Sequence, residues 1–259
     1  MSLDKFKHKD SSIWVGMLCY MVTMVGLVFL IMHDRPSFEQ GDLYDFYTLF
    51  LPVCLLSGLV FFMYVRRKDK QRAEGVSREM LILGFVQEDN STTATVESLS
   101  NFDLFSPSDS GTISNLHRGK IDGQEIRLFE YTYTTGSGQT AKAHRHSVIL
   151  VKSHKLSLPP FTLTPESFMH KVMSKMGYQD IDFEGHDGFS DNYLLRGKEE
   201  TKIRSFFNPT RLKFFEENPG LHVQGDADRV LFYTPYLIDA RYIRDFISIG
   251  GKVIRSLSS

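Results

Sequence analysis

The residues with the most evident chemistry are three carboxylates alternating along QDIDFEG: Asp180, Asp182 and Glu184. In an extended strand, alternation places all three on one face and Ile181 and Phe183 on the other. Such an oxygen-only set suits a hard divalent cation, Mg²⁺ or Ca²⁺, with His186 and Asp187 following nearby. The chemistry it would support is metal-dependent hydrolysis. The competing reading is the solvated face of an amphipathic strand, favoured because neither an EF-hand spacing nor a metal-binding Gly turn is present.

His144 and His146 stand two apart on one face of another strand, with Arg145 opposite and Lys142 close by. A transition metal would need further ligands, and both cysteines, Cys19 and Cys54, lie elsewhere in apolar runs. His154 or His117 could supply one after folding. A basic strand facing anionic lipid or a protein partner is the stronger reading, and a plain polar hairpin face stronger still. A third group, Arg66, Arg67, Lys68, Lys70 and Arg72, forms a basic run suited to anionic lipid headgroups, although membrane topology alone accounts for it.

Other motifs carry less. TGSGQT at Thr135 to Thr140 is Gly-rich but lacks the G-x-x-x-x-G-K-[ST] form and a following helix, so it reads as a turn. Ser190 has Asp187, Asp191 and His186 beside it in sequence, yet catalytic triads assemble in space. There is no G-x-S-x-G elbow and no H-E-x-x-H, and no cysteine follows Cys54 to act as a thiol nucleophile. No cofactor is expected, beyond the divalent cation that the carboxylates could take.

The elements that must position these residues begin with two apolar runs. From Ile13 to Met32 and from Phe46 to Val65 the chain has about twenty uncharged residues each, enough for a helix to span a hydrocarbon core of about 30 Å. Pro52 inside the second is tolerable in a membrane helix. The first run is too long for a signal peptide and lacks an A-x-A-like cleavage site. Lys5, Lys7 and Lys9 precede the first run and the basic group follows the second, whereas Arg35 between them stands among Asp34, Glu39, Asp42 and Asp45. Basic flanks stay cytoplasmic, so both termini are expected in the cytoplasm. The spans hold no Asp, Glu, Lys, Arg or His, which argues for anchoring rather than ion transport. Gly16, Gly26, Ser57 and Gly58 could let helices approach closely, but small residues are common in membrane helices and these form no clean G-x-x-x-G.

The expected organisation is a tail (1–12), a first span (13–32), an external loop (33–45), a second span (46–65), a basic stop with a short helix and an irregular linker (66–111), and a cytosolic domain (112–259). The short helix carries Val76, Met80, Leu83 and Phe85, and the linker has Phe102, Leu104 and Phe105 as its anchors. From Ile113 the pattern changes to strands, with Asp122-Gly123 as a hairpin signal and EIRLFEYTYTT as a central strand. The strands to KLSLPPF read as an antiparallel meander. A helix is predicted from Thr164 as N-cap through Met169, Val172, Met173 and Met176 to Gly177. A short DIDF strand, two short helices, a hairpin across Gly225 to Asp228 and a terminal helix capped by Asp239 complete an α+β domain on an antiparallel sheet. In that last helix Gly250-Gly251 is the expected weak point.

Composition agrees with a folded domain. The chain has 259 residues, 42% hydrophobic and 13% aromatic, which excludes a disordered tail or low-complexity repeat. With 30 Lys+Arg against 31 Asp+Glu, it lacks the basic excess of a dedicated nucleic-acid binder, and no nucleic-acid partner is expected.

The phrases NLHRGKIDGQEIRLFEYTYTTGSGQ, LSLPPFTLTPESFMHKV, YQDIDFEGHDGFSDNYLLRG and EETKIRSFF together resemble a group of uncharacterised bacterial membrane proteins, in which spans precede a cytosolic domain. The shared marks fall at Gly119, Gly123, Phe129, Tyr131 and Tyr133, at Leu158 to Glu166, and at Asp180 to Gly197. Pro160 and Thr164 depart from the pattern, the latter weakening an anion site built on Arg there. The resemblance implies a bacterial inner-membrane setting and transfers no catalytic residue. The expected function is a membrane-anchored binding or interaction module with a protein partner or further copies of itself. The alternatives are a membrane-tethered metal-dependent hydrolase and an oligomeric pore or effector of stress response or phage defence.

Overall fold

The computed structural model describes residues 40–88, 99–106, 111–166 and 180–258, with four single positions, Gly16, Tyr20, Thr23 and Gly26; residues 40–51 and 53 are described in backbone only. Two compact units divide the chain, Lys9–Glu74 in one and Gly75–Ser259 in the other.

Helix α1 runs Gln40–Ile82 over 43 residues, all but its last eight in the first unit, and takes in the second apolar run, Pro52 included. The four single positions are helical, whereas the tail 1–12, the rest of 13–32 and residues 33–39 lie outside the described residues. The Tyr20 hydroxyl donates to the Cys54 carbonyl at 3.2 Å and stands 3.1 Å from the Ser57 hydroxyl. A Cβ on Gly16 would meet the Phe61 ring at 3.4 Å. Position 16 beside 61 and 20 beside 54 and 57 is the order of an antiparallel helical hairpin. Among the described residues, no helix is long and apolar enough to cross a membrane.

One expectation about α1 is corrected. The helix does not stop at the basic run and restart; it continues through Arg66–Arg72 to Ile82. Apart from Asp69, residues 66–74 are good helix formers, Lys70 and Glu74 pair at 3.8 Å one turn apart, and no Gly or Pro interrupts them. The stop comes at Gly84, whose φ of +83° lets its N–H reach the Leu81 carbonyl while the Phe85 N–H reaches Met80.

The second unit is built on an eight-stranded antiparallel sheet. Its strands are β1 (Val86–Gln87), β2 (Thr112–Ile121), β3 (Gln124–Thr135), β4 (Lys142–Lys152), β5 (Leu158–Pro165), β6 (Tyr193–Arg196), β7 (His222–Ala227) and β8 (Arg229–Thr234), in the order β1-β2-β3-β4-β8-β7-β5-β6. Its helices are α2 (Asp187–Ser190), α3 (Glu200–Phe206), α4 (Pro209–Glu217) and α5 (Ile243–Ser258). The α+β antiparallel architecture expected from the sequence is present. Asp122 and Gly123 both take positive φ, 50° and 78°, as a two-residue hairpin between β2 and β3 requires. Asn208 caps α4 by accepting from the Arg211 N–H, and Asp239 accepts from Arg241 before α5.

Four local expectations fail. The meander ends at β4: β5 crosses over and leaves two places that the β7–β8 hairpin fills, because β8 presents Val230, Phe232 and Thr234 in register with β4. Thr164 and Pro165 do not open a helix but end β5, paired with Leu194 and Tyr193; the remainder of that predicted helix, 167–179, lies outside the described residues. Residues 180–183 form no strand. Gly250-Gly251 does not weaken α5, since a Cβ at Gly250 would stand 2.8 Å from Ile149, so the missing side chain is what lets the helix reach the sheet.

One sheet face, with Ile126, Leu128, Ile149, Phe232 and Val223, packs against α3, α4, α5 and the end of α1. The opposite face, with Ile113, Phe129, Tyr131, Val148, Leu150 and Leu231, is covered by a strap, residues 99–106. The linker anchors Phe102, Leu104 and Phe105 are accordingly 2%, 5% and 5% exposed. The folded unit therefore begins well before Thr112.

Candidate functional site

The acidic triplet does not converge. Asp180 Oδ1 accepts from the Ile181 and Leu195 N–H groups, both at 2.9 Å, and the Leu195 carbonyl accepts from Ile181. Asp180 thus seals the outer edge of β6, where unpaired backbone would otherwise recruit another chain. Partial burial holds its carboxyl above the usual range; the two N–H bonds oppose this, and the charges of Asp182 and Glu166 add to it. Asp182 and Glu184 are exposed, and the Asp182 carbonyl accepts from Arg204, whose guanidinium lies 5.5 Å from the Phe183 ring. His186 turns away to Glu216 at 3.1 Å. Among the described residues, no three His, Cys, Asp or Glu side chains are gathered to hold a metal ion.

His144 and His146 do share a face of β4, as alternation requires, but the face is an aromatic wall. Tyr133 on β3 stacks on both rings, at 4.8 Å and 5.5 Å, with interplanar angles of 12° and 2°. His146 meets Tyr233 edge-on at 5.6 Å, and His222 on β7 packs against Tyr233 at 5.0 Å. The Thr234 carbonyl, 3.0 Å from His146 Nδ1, can only accept, so Nδ1 carries the proton. Burial pushes His146 down to about 4, the Thr234 bond opposing and the His144 charge adding. Burial pushes His222 to about 3, with the His146 charge adding. His144 is lowered as well, by burial and then by the Lys142 charge. Both inner imidazoles are therefore neutral near pH 7. Lys142 is exposed at the end of this wall, and Arg145 is exposed on the opposite face of β4. Sequence reasoning missed His222 and Tyr233; the only local signal was a histidine inside the apolar alternation LHVQG.

Of the basic run, Arg66, Arg67, Lys68 and Lys70 are exposed or half-exposed, and Arg72 is half-buried. The Arg66 guanidinium lies 5.0 Å from the Phe62 ring and the Lys68 ammonium 5.1 Å from the Tyr64 ring, so both fold back over the preceding aromatics. That preceding stretch exposes Leu55, Leu56, Leu59, Val60, Phe62 and Met63 at 53–66%.

A groove of 860 Å³ runs between β5 and α3, floored by Leu158, Pro159 and Phe206. Arg211 lies 4.1 Å over Phe206 and donates to the Phe206 and Ser256 carbonyls, so it ties α4 to its neighbours. Glu199 and Lys202 on the rim pair with each other.

No protein-family model matches the chain, and no curated protein matches it. Among solved structures, the chain is similar to the mycobacterial trehalose monomycolate transport factor A, TtfA, with a TM-score of 0.50 and 12% identity over 73% of this chain and 91% of that one. At that identity the likeness is one of fold.

Proposed function

We propose that this chain is a bacterial inner-membrane protein of the uncharacterised group it resembles, in which an N-terminal helical hairpin anchors an α+β interaction module on the cytoplasmic side. The observation that carries this reading is the exposed stripe from Leu55 to Tyr64 on α1, where seven large apolar side chains stand open at 47–66%. Water is a poor solvent for a patch of that kind, and lipid is a good one. The Tyr20–Ser57–Cys54 contacts give the polar groups of the hairpin partners inside it, as a low-dielectric surround demands. Asp180 serves the β6 edge, and among the described residues no three His, Cys, Asp or Glu side chains gather around Asp182 and Glu184, which favours binding over metal-dependent hydrolysis. The partner is a protein or further copies of the chain.

The test is fractionation of cells expressing the full chain, followed by alkaline carbonate extraction. The chain is expected to stay with the membrane pellet, and its release to the supernatant would remove the anchor. A pull-down with the full chain solubilised in detergent then searches for the partner.

A further inference from the structure

We propose that Arg66, Arg67, Lys68 and Lys70 form a collar that binds the headgroups of anionic phospholipids; this rests on the anchor reading and names the lipid class it prefers. The argument is geometric. On a helix, residues at i, i+4, i+7 and i+11 share a face. Leu55, Leu59, Phe62 and Arg66 are one such row, and Leu56, Val60, Met63 and Arg67 are the next, with Lys70 one turn beyond Arg66. The stripe that exposes apolar side chains thus becomes basic within a single turn, without leaving its face.

Arg66 over Phe62 and Lys68 over Tyr64 place each cation against an aromatic ring at that changeover. Aromatic rings with adjacent cations are the groups that sit at headgroup depth. Residues 66–74 hold five basic side chains against two acidic ones, Asp69 and Glu74. The Lys70–Glu74 pair is 3.8 Å long with side chains 78% and 59% exposed, a contact too weak to keep Lys70 from a phosphate. Arg72, half-buried, does not belong to the collar. A zwitterionic headgroup brings a choline cation along with its phosphate, whereas phosphatidylglycerol brings net negative charge. Each basic residue at the surface is worth about fivefold in attraction to such a lipid.

The experiment places the full chain in vesicles of equal phosphatidylglycerol and phosphatidylcholine, extracts it with mild detergent and counts the retained lipids by native mass spectrometry. Phosphatidylglycerol is expected to be enriched at least about fivefold at 0.1 M NaCl, and the enrichment to collapse at 1 M, where charge is screened within about 3 Å. The variant R66Q/R67Q/K68Q/K70Q should retain the two lipids about equally. Equal retention by the wild-type chain, or enrichment that survives 1 M salt, overturns the proposal whether or not the variant folds. Carbonate extraction of the same vesicles separates the two failures. A chain that stays in the pellet without lipid preference loses only the collar, and a chain that is extracted loses the anchor and the collar with it.

Discussion

Asp180 shows how a residue that looks chemical can be architectural. Its carboxylate holds two backbone N–H groups at the sheet edge, so Asp180→Ala should cost about 1–3 kcal/mol in urea unfolding. Asp180→Asn, which keeps an accepting oxygen, should recover most of that loss. A metal ligand would behave otherwise, because the amide would abolish binding as fully as alanine does. The histidines make a second prediction at this scale. His146 and His222 titrate at about 4 and about 3 in the fold and near 6.5 when unfolded, so between those values the unfolded chain binds more protons. Stability is thus complete above about pH 6.5 and is lost as pH falls toward 4, with a slope approaching two protons, or about 2–3 kcal/mol per pH unit. Urea midpoints measured from pH 7 to 4 should show that acid limb, and His146→Phe, which keeps a ring against Tyr133, should make it shallower. An unchanged limb in the variant would move the effect to other groups.

At the scale of elements, the strap is the feature that decides whether the sheet is stable. Phe102 and Phe105 fill one face, the Leu104 N–H donates to Gln224 Oε1 at 3.3 Å, and Thr162 donates to Asp103 at 2.7 Å. Phe102→Ala should cost about 3–5 kcal/mol in the same unfolding assay. A fragment starting at Thr112 should bind a hydrophobic dye and melt below one starting at Gly75, since it leaves Phe129, Val148, Leu150 and Leu231 uncovered and also loses Val76, Met80 and Phe85 from the other face. The strap's anchors were legible as isolated apolar residues in a polar stretch, but their target was not, because a segment without periodicity does not announce which face it will cover. The hairpins and caps were legible for the opposite reason: Asp122-Gly123, Asn208-Pro209 and Asp239 act within a few residues of themselves. What failed was non-local. Nothing near β5 encodes that a hairpin far downstream will take its place beside β4, and nothing in QDIDF reveals that β6 offers Asp180 an N–H. Two glycines in the conspicuous phrases of the sequence have structural duties too. Gly119 has no side chain because the Phe85 ring occupies that space, and Gly197 makes room for Ile203 and the Pro160 carbonyl.

For the whole molecule, the membrane reading proposed above turns on the side on which each end would lie. The basic residues flank the apolar runs while the intervening stretch is acidic, and Lys and Arg beside a span resist transfer across the bilayer whereas Asp and Glu contribute little to orientation. That asymmetry predicts a hairpin with its turn outside and both its flanks in the cytoplasm. The chain suits a labelling test, because its two cysteines, Cys19 and Cys54, both lie within the apolar runs. With both replaced by alanine, Ser37→Cys between the runs should react with a membrane-impermeant maleimide in intact spheroplasts. Ser205→Cys, at an exposed position on α3, should react only after lysis. Labelling of Ser205→Cys in intact spheroplasts would invert the topology and expose the α+β unit to the outside, where a cytoplasmic partner is unreachable. Protection of both sites until lysis would mean that the hairpin does not cross, and the exposed stripe of α1 would then have to be covered by protein.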